Sequence, residues 1–314
     1  MKRIISSVLC ALLLVGAGLC VWLAPPESGG QQAAYRGILR LWHIYAFEGG
    51  RGSRSAFLSR VAAAFERENE GVYVMVRTLT AEGAAAAIGA GDAPDLLSFS
   101  CGTDGAAELA REMKEAFGGG EIGGKFYAYP WCCGRYYLFS AEADPGDDLS
   151  AVSAEELVLS DGGNNLPGVA AALSGITGAA ACEDSTSAYV HFLGGKYRYM
   201  LGTQRDVCRF QTRGANVYAR PLTAYNDLYQ YIAVTAREEE RAAAAAAFVE
   251  TLLGEEWQGQ LSSLGMYPLS DAGAAYTLSA FVSAEGLAAA EAAGEQALRT
   301  GEIKILKTYL KELN

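Results

Sequence analysis

Residues 39–76 read LRLWHIYAFEGGRGSRSAFLSRVAAAFERENEGVYVMV, and the order of patterns in this stretch decides the fold class. Leu39 to Tyr45 is rich in branched and aromatic residues and predicts a strand, which runs into a turn-rich loop from Phe47 to Gly52. Ser53 stands where a helix needs an N-cap. Behind it Phe57, Leu58, Val61, Ala64 and Phe65 recur at helical spacing, with Arg54, Arg60, Glu66 and Arg67 assigned to the wet face. Val72 to Val76 predicts the next strand. Ala81 to Ala90 reads as a helix, Asp95 to Phe99 as a third strand and Ala106 to Phe117 as a third helix. Repeated strand-helix units of this kind predict an α/β domain with a largely parallel sheet and helices on its faces.

Downstream, Gly118-Gly119-Gly120 breaks the pattern, and the aromatic-rich stretch from Gly123 to Phe139 reads as the chain leaving a first lobe. Asp144 to Asn165 is polar and carries the turn signals Pro145-Gly146 and Asp161-Gly162-Gly163-Asn164-Asn165. Ser185 to Leu193 predicts a helix, and Tyr197 to Phe210, Asn216 to Leu222 and Leu228 to Val234 predict strands. Past Arg237 the chain is alanine-rich, with Phe248, Val249, Leu252 and Leu253 forming one apolar stripe. Ala280 to Leu298 and Lys304 to Leu313 complete the helical end.

The chain has 314 residues, of which 51% are hydrophobic, and carries a formal charge of -11. That apolar fraction suits one large or two modest domains with a real core. The acidic balance, with no cluster of cations, argues against a nucleic-acid partner, because phosphate binding rests on Lys and Arg. The two histidines, His43 and His191, are far apart and cannot build a multi-histidine metal site. Lys2-Arg3 followed by the uncharged run Ile4 to Pro26 has the layout of a secretory signal. Its apolar core, Ile4 to Ala24, is also long enough for a retained membrane anchor. Cleavage, retention, and lipidation at Cys20 all stay open, and residues 1–34 are set aside as signal or anchor plus linker. Outside that segment Cys101, Cys132, Cys133, Cys182 and Cys208 show no C-x-x-C pair and read as small buried residues.

Several collinear stretches resemble the extracytoplasmic solute-binding proteins of ABC importers, whose fold is the two-lobed periplasmic-binding type II architecture. They are Leu39 to His43 with its Gly-rich loop and Phe65 to Val74; Gly89-Ala90-Gly91-Asp92-Ala93-Pro94-Asp95-Leu96-Leu97; Gly124 to Pro130; Gly195 to Thr203; and Phe248 to Pro268. The resemblance implies lobe I from 35–127 and 223–266, and lobe II from 128–222 and 267–314. A hinge joins them, and the short interval Gly134 to Lys196 implies a reduced second lobe. It further implies a monomeric receptor without cofactor or metal, attached to or secreted across the membrane, that hands a small solute to ABC permease subunits.

In such an architecture ligands lie in the crevice outside the carboxyl ends of the strands. The candidate ligand-binding residues are accordingly Tyr45, Glu48 and Arg51 after the first strand, and Ser100, Thr103 and Asp104 after the third. Trp131 and Arg135 stand near the crossing, and Gln204 and Arg205 after Leu201. Aromatic faces and carboxylates suit a sugar or oligosaccharide; Arg205 or Arg51 would suit an anionic or peptide-like ligand. Two other readings remain: a tethered sensory or scaffold domain of the same fold, and an exported enzyme using Cys132-Cys133 or a carboxylate pair. No Gly-x-Ser-x-Gly or Ser-x-x-Lys motif supports the last.

Overall fold

The computed structural model describes residues 35–313 except 48, 114–119, 123, 147, 272 and 273. Residues 1–34, expected from the sequence to be a signal or anchor plus linker, lie outside the described residues, and so does Glu48. Among the described residues no helix is long and apolar enough to cross a membrane.

The first sheet has five strands in the order β2-β1-β3-β13-β6. β1 (Gly37–Ile44) pairs in parallel with β2 (Val72–Leu79) and with β3 (Leu96–Phe99). β13 (Tyr229–Val234) runs antiparallel to both β3 and β6 (Tyr129–Cys133). Helix α1 (Arg54–Glu68) packs on one face with α7 (Glu239–Leu253), where Phe65 meets Phe248 edge-on. On the other face Trp42, Ile44, Leu97 and Phe99 cluster with Ala84 of α2 (Ala81–Gly89). Burial on both faces explains why β1 reads as a nearly continuous apolar run. The Ser53 hydroxyl accepts from the Ala56 N–H at 3.3 Å, as the cap pattern predicts. Helix α3 is shorter than expected: it covers Ala106–Leu109, and Ala110 is already extended.

The second sheet also has five strands, in the order β9-β8-β10-β7-β11. β8 (Leu157–Asp161) lies between β9 (Ala181–Asp184) and β10 (Tyr199–Thr203), parallel to both. β7 (Tyr136–Ser140) is antiparallel to β10 and to β11 (Tyr218–Pro221). The two sheets therefore share one pattern: three parallel strands, an antiparallel fourth and a fifth. In each, the antiparallel strand is the one the chain forms on arriving from the other lobe. The interval Gly134 to Lys196 holds three of these strands, with α4 (Pro167–Leu173) and α5 (Ser185–Leu193), so its shortness leaves the five-stranded sheet complete.

Two expectations are corrected here. Tyr197 to Phe210 is not one strand: β10 ends at Thr203 and α6 (Gln204–Arg213) begins at once. Thr203 and Asp206 form a capping box, each side chain satisfying a backbone N–H of the other, and this turns the chain into a helix where the aromatics suggested a strand. Arg54 is not on the wet face. It is buried, donates to Gln230 Oε1 at 2.9 Å and to the Phe47 carbonyl, and its guanidinium lies 4.5 Å from the Phe47 ring centroid.

Three crossings join the lobes: Gly134-Arg135 between β6 and β7, 222–228 between β11 and β13, and the segment after Met266. They are hydrogen-bonded together. The Gly134 N–H donates to the Leu228 carbonyl at 2.6 Å, Asn226 Nδ2 donates to the Gly134 carbonyl at 3.0 Å, and Cys133 and Tyr267 exchange backbone bonds. Because β6 pairs in the first sheet, that sheet reaches past the 127/128 boundary read from the sequence. Beyond the crossings, β12 (Tyr225–Asn226) pairs with β14 (Tyr276–Thr277). Helix α9 (Ala284–Thr300) packs closely on α4: a Cβ at Gly294 would stand 2.5 Å from the Val169 nitrogen. The small hairpin β4 (Glu121–Ile122) and β5 (Lys125–Phe126), the short α8 (Glu255–Gln258) and the terminal α10 (Ile303–Glu312) complete the described chain.

Candidate functional site

The carboxyl ends of the parallel strands from both sheets supply the loops that border two cavities. The smaller, about 10 Å³, is closed on the first-lobe side by Phe47. From the second lobe it is lined by Ser160, Gly162 and Asn165 after β8, Ser185 opening α5, and Thr203, Arg205 and Asp206 at the start of α6. The larger, about 350 Å³, lies between Gly102 of the first lobe, the loop Asp161 to Leu166, Cys182, and the α9 face carrying Leu287, Glu291 and Glu295.

The loop after β8 is built by its own side chains. Asn165 Oδ1 accepts from the Gly162 N–H at 2.6 Å, and its Nδ2 donates to the Ser160 carbonyl at 3.1 Å. Asp161 accepts from the Gly163 N–H at 2.7 Å. Asn164 is exposed at the tip. Glu291 reaches from α9 to the N-terminus of α4, where its carboxyl accepts from the Gly168 N–H at 2.7 Å and the Val169 N–H at 3.4 Å. Those donors and the positive end of the helix favour its charge. Burial outweighs them and pushes the carboxyl up to about 8. Asp206 is buried too, and burial raises it against the Thr203 N–H and Arg209.

The residues singled out from the sequence divide sharply. Arg205 lines the smaller cavity and donates to Ser185 Oγ at 2.8 Å. Tyr45 is exposed at the end of β1, under the Arg54 guanidinium at 5.5 Å. Arg51 is exposed and ties the lobes through its guanidinium, which donates to Gln211 Oε1 at 3.0 Å; its N–H donates to the Leu264 carbonyl at 2.6 Å within the first lobe. Ser100 is buried and donates to the Cys101 carbonyl; Thr103 is buried beside it. Asp104 accepts from the Ala284 N–H at 3.0 Å and so serves the start of α9.

Trp131 is corrected outright. It is 0% exposed, stacked on Phe57 with rings 10° apart, and donates from Nε1 to Ser98 Oγ, so it belongs to the first-lobe core. Gln204 is also buried; its Oε1 accepts from the Arg135 N–H at 2.9 Å, which makes it a hinge tie. Arg135 lies over the Tyr267 ring at 5.1 Å, at the same crossing. The sequence reading missed the whole Asp161 to Asn165 loop, and Glu291 with Glu295. The signal for the loop was present: Leu157-Val158-Leu159-Ser160 is a short strand candidate, and a Gly-Asn turn directly behind a parallel strand belongs to the crevice.

Chemically the cavities offer carboxylates, amides and hydroxyls together with Arg205, a set that makes hydrogen bonds to hydroxyl-bearing or amino-bearing solutes. Cys182, expected to be buried, is exposed and lines the larger cavity, whereas the other four thiols are poorly placed for nucleophilic work. Cys101, Cys132, Cys133 and Cys208 are buried, and burial pushes the Cys101 and Cys132 thiols up.

No known protein family and no curated protein matches the sequence, whereas solved structures match the fold. The chain is similar to the sugar-binding protein MalE from the phytopathogen Xanthomonas citri at 13% identity and a TM-score of 0.58, over 88% of this chain and 96% of that one. It is similar to a cyclo/maltodextrin-binding protein complexed with maltotetraose at 14% identity and a TM-score of 0.59, over 91% and 98% of the two chains. The galacto-N-biose-/lacto-N-biose I-binding protein of the ABC transporter from Bifidobacterium longum gives 12% identity and a TM-score of 0.59, over 88% and 97%. At such identities the likeness concerns the fold: this chain has the two-lobed α/β architecture of these binding proteins.

Proposed function

We propose that the protein is an extracytoplasmic receptor that captures a small hydroxyl-bearing solute, a sugar or oligosaccharide, between its lobes and passes it to the permease of an ABC transporter. The observation that carries this reading is the pairing of the two sheets. Loops at the carboxyl ends of parallel strands in both lobes border the same cavities, and three hydrogen-bonded crossings join the lobes. The neighbours in fold support it, since their names describe sugar-binding proteins, one of them that of an ABC transporter. On this reading lobe I comprises 35–133 and 228–266, and lobe II comprises 134–227 and 267–314. Residues 1–34 hold the body at the membrane or direct its export. Binding closes the lobes and creates the surface that the permease reads. The protein performs no covalent chemistry on its cargo.

A thermal-shift screen of mono- and oligosaccharides, polyols, peptides and organic anions tests the assignment. A solute held at ~100 times its Kd adds ~2.7 kcal/mol, which raises the midpoint by about 5 °C or more for a body of this size. A saccharide giving that shift is the expected result. A shift with anions or peptides alone would move the solute class, and silence across every class would overturn the receptor reading.

A further inference from the structure

Phe47 follows β1 in the first lobe, yet its side chain is 3% exposed and closes a pocket whose other walls belong to the second lobe. That pocket stands at the carboxyl ends of β8 and β10. Ser160, Asn165, Ser185, Thr203 and Arg205 give it hydroxyls, an amide and a guanidinium, groups that hydrogen-bond a solute at this place in an α/β lobe. With Phe47 in position about 10 Å³ is left, room for one water at most. Asp161, Asn164 and Glu291 line the larger cavity of about 350 Å³, and Asn165 borders both.

Phe47 is held firmly from its own lobe. Arg54, buried at the start of α1, places its guanidinium 4.5 Å from the Phe47 ring centroid and donates to the Phe47 carbonyl. Its other terminal nitrogen donates to Gln230 Oε1 at 2.9 Å, and Gln230 Nε2 donates in turn to Ser98 Oγ at 3.1 Å. Among the described residues no carboxylate pairs with Arg54. A buried guanidinium without a counter-ion is costly to keep, and the face of the Phe47 ring is part of what stabilises this one. Ring and backbone of Phe47 are thereby both tied to the first-lobe core.

We propose that Phe47 is a specificity-determining residue of the solute site: it occupies the polar pocket of the second lobe and confines the solute to the larger cavity, so that binding is drawn from one or two sugar units. A volume of about 350 Å³ lies at the small end of ligand sites, which run from about 300 to 1,000 Å³. A third unit that sought the hydroxyls and the amide of the second lobe would have to displace Phe47 and strip Arg54 of its contact. The sugar class rests on the receptor assignment above; the sealing of the pocket does not.

Isothermal titration of full-length wild type and Phe47→Ala in detergent reads the limit, with glucose, maltose, maltotriose and maltotetraose as probes and the β-linked series to cellotetraose beside them. In wild type the Kd reaches its lowest value at one or two units and falls no further. In Phe47→Ala the third unit lowers it by about tenfold or more, through groups that the ring covered. A wild type that gains tenfold from a third unit overturns the proposal, and so does a Phe47→Ala series with the same profile as wild type. A second measurement needs no solute. Ser160 is 3% exposed, and Ser160→Cys is alkylated by N-ethylmaleimide at least tenfold faster once Phe47→Ala is added, with position 160 resolved from Cys182 by peptide mass spectrometry. Equal rates show that Phe47 does not seal the pocket and overturn the proposal. Faster alkylation with silence from every saccharide upholds the sealed pocket and counts against the saccharide assignment. Should circular dichroism show Phe47→Ala unfolded, Phe47→Leu, which removes the ring and keeps apolar bulk, takes its place in both measurements with the same outcomes deciding.

Discussion

Ser98 is a single hydroxyl on which the first-lobe core converges. Its oxygen stands 3.1 Å from His43 Nδ1, from the Trp131 indole nitrogen and from Gln230 Nε2, while Gln230 also holds Arg54. Removing it leaves donors buried without an acceptor, and Ser98→Ala costs about 1–3 kcal/mol in a urea melt. Two buried groups give stability opposite slopes with pH. Burial, then Arg54, lowers His43 to about 3, so the native state refuses a proton the unfolded chain takes, and stability is lost as pH falls from ~6.5 toward 3. Asp227 works the other way. Its native value of about 7 lies above the unfolded ~3.9, so its stabilisation is complete at low pH and is lost as pH rises through 7, by up to about 4 kcal/mol. Midpoints recorded from pH 6.5 to 8 fall in wild type. They fall less in Asp227→Asn, and what slope remains there belongs to Glu291. At this scale the sequence was a weak guide. Trp131 beside a glycine-flanked crossing looks the same whether it stacks on a ligand or on Phe57, because burial is a property of the neighbours and not of the residue.

Elements were more legible, unevenly between the lobes. β1, α1, β2, α2 and β3 stood out because each apolar run has its own period and its own punctuation: the Ser53 cap, the Gly71 turn, the Pro94-Asp95 entry. In the second lobe β8 is five residues long and sits in a polar interval rich in turn signals, so composition hid it. α6 was mistaken for strand because the aromatic run Tyr197 to Thr203 ahead of it was carried on to Phe210, and the capping box was overlooked. That box gives a test: Asp206→Ala removes the bond to the Thr203 N–H and the ion pair with Arg209, and a loss of about 1–2 kcal/mol is expected from chemical denaturation. Helix packing gives another. A methyl at Gly294 would meet the Val169 backbone, so Gly294→Ala forces α9 off α4 at a cost of about 1–3 kcal/mol, read as a lowered thermal midpoint.

At the scale of the whole molecule, the shared strand pattern of the two sheets explains why the chain crosses three times and why loops of both lobes meet. The resemblance in sequence led to the fold, yet it misdirected the search for the site toward the first lobe and the crossings. The cavities draw most of their polar lining from the second lobe and α9. The central claim is that this crevice holds a solute. Isothermal titration of the best saccharide from the screen into wild type and Asn164→Ala, whose exposed amide stands at the cavity edge and supports no other element, tests it most directly. The account predicts saturable one-to-one binding in wild type, weakened about tenfold by the loss of a hydrogen-bonding amide. Equal affinity in both proteins would place the solute elsewhere, and the absence of binding in wild type would contradict the account.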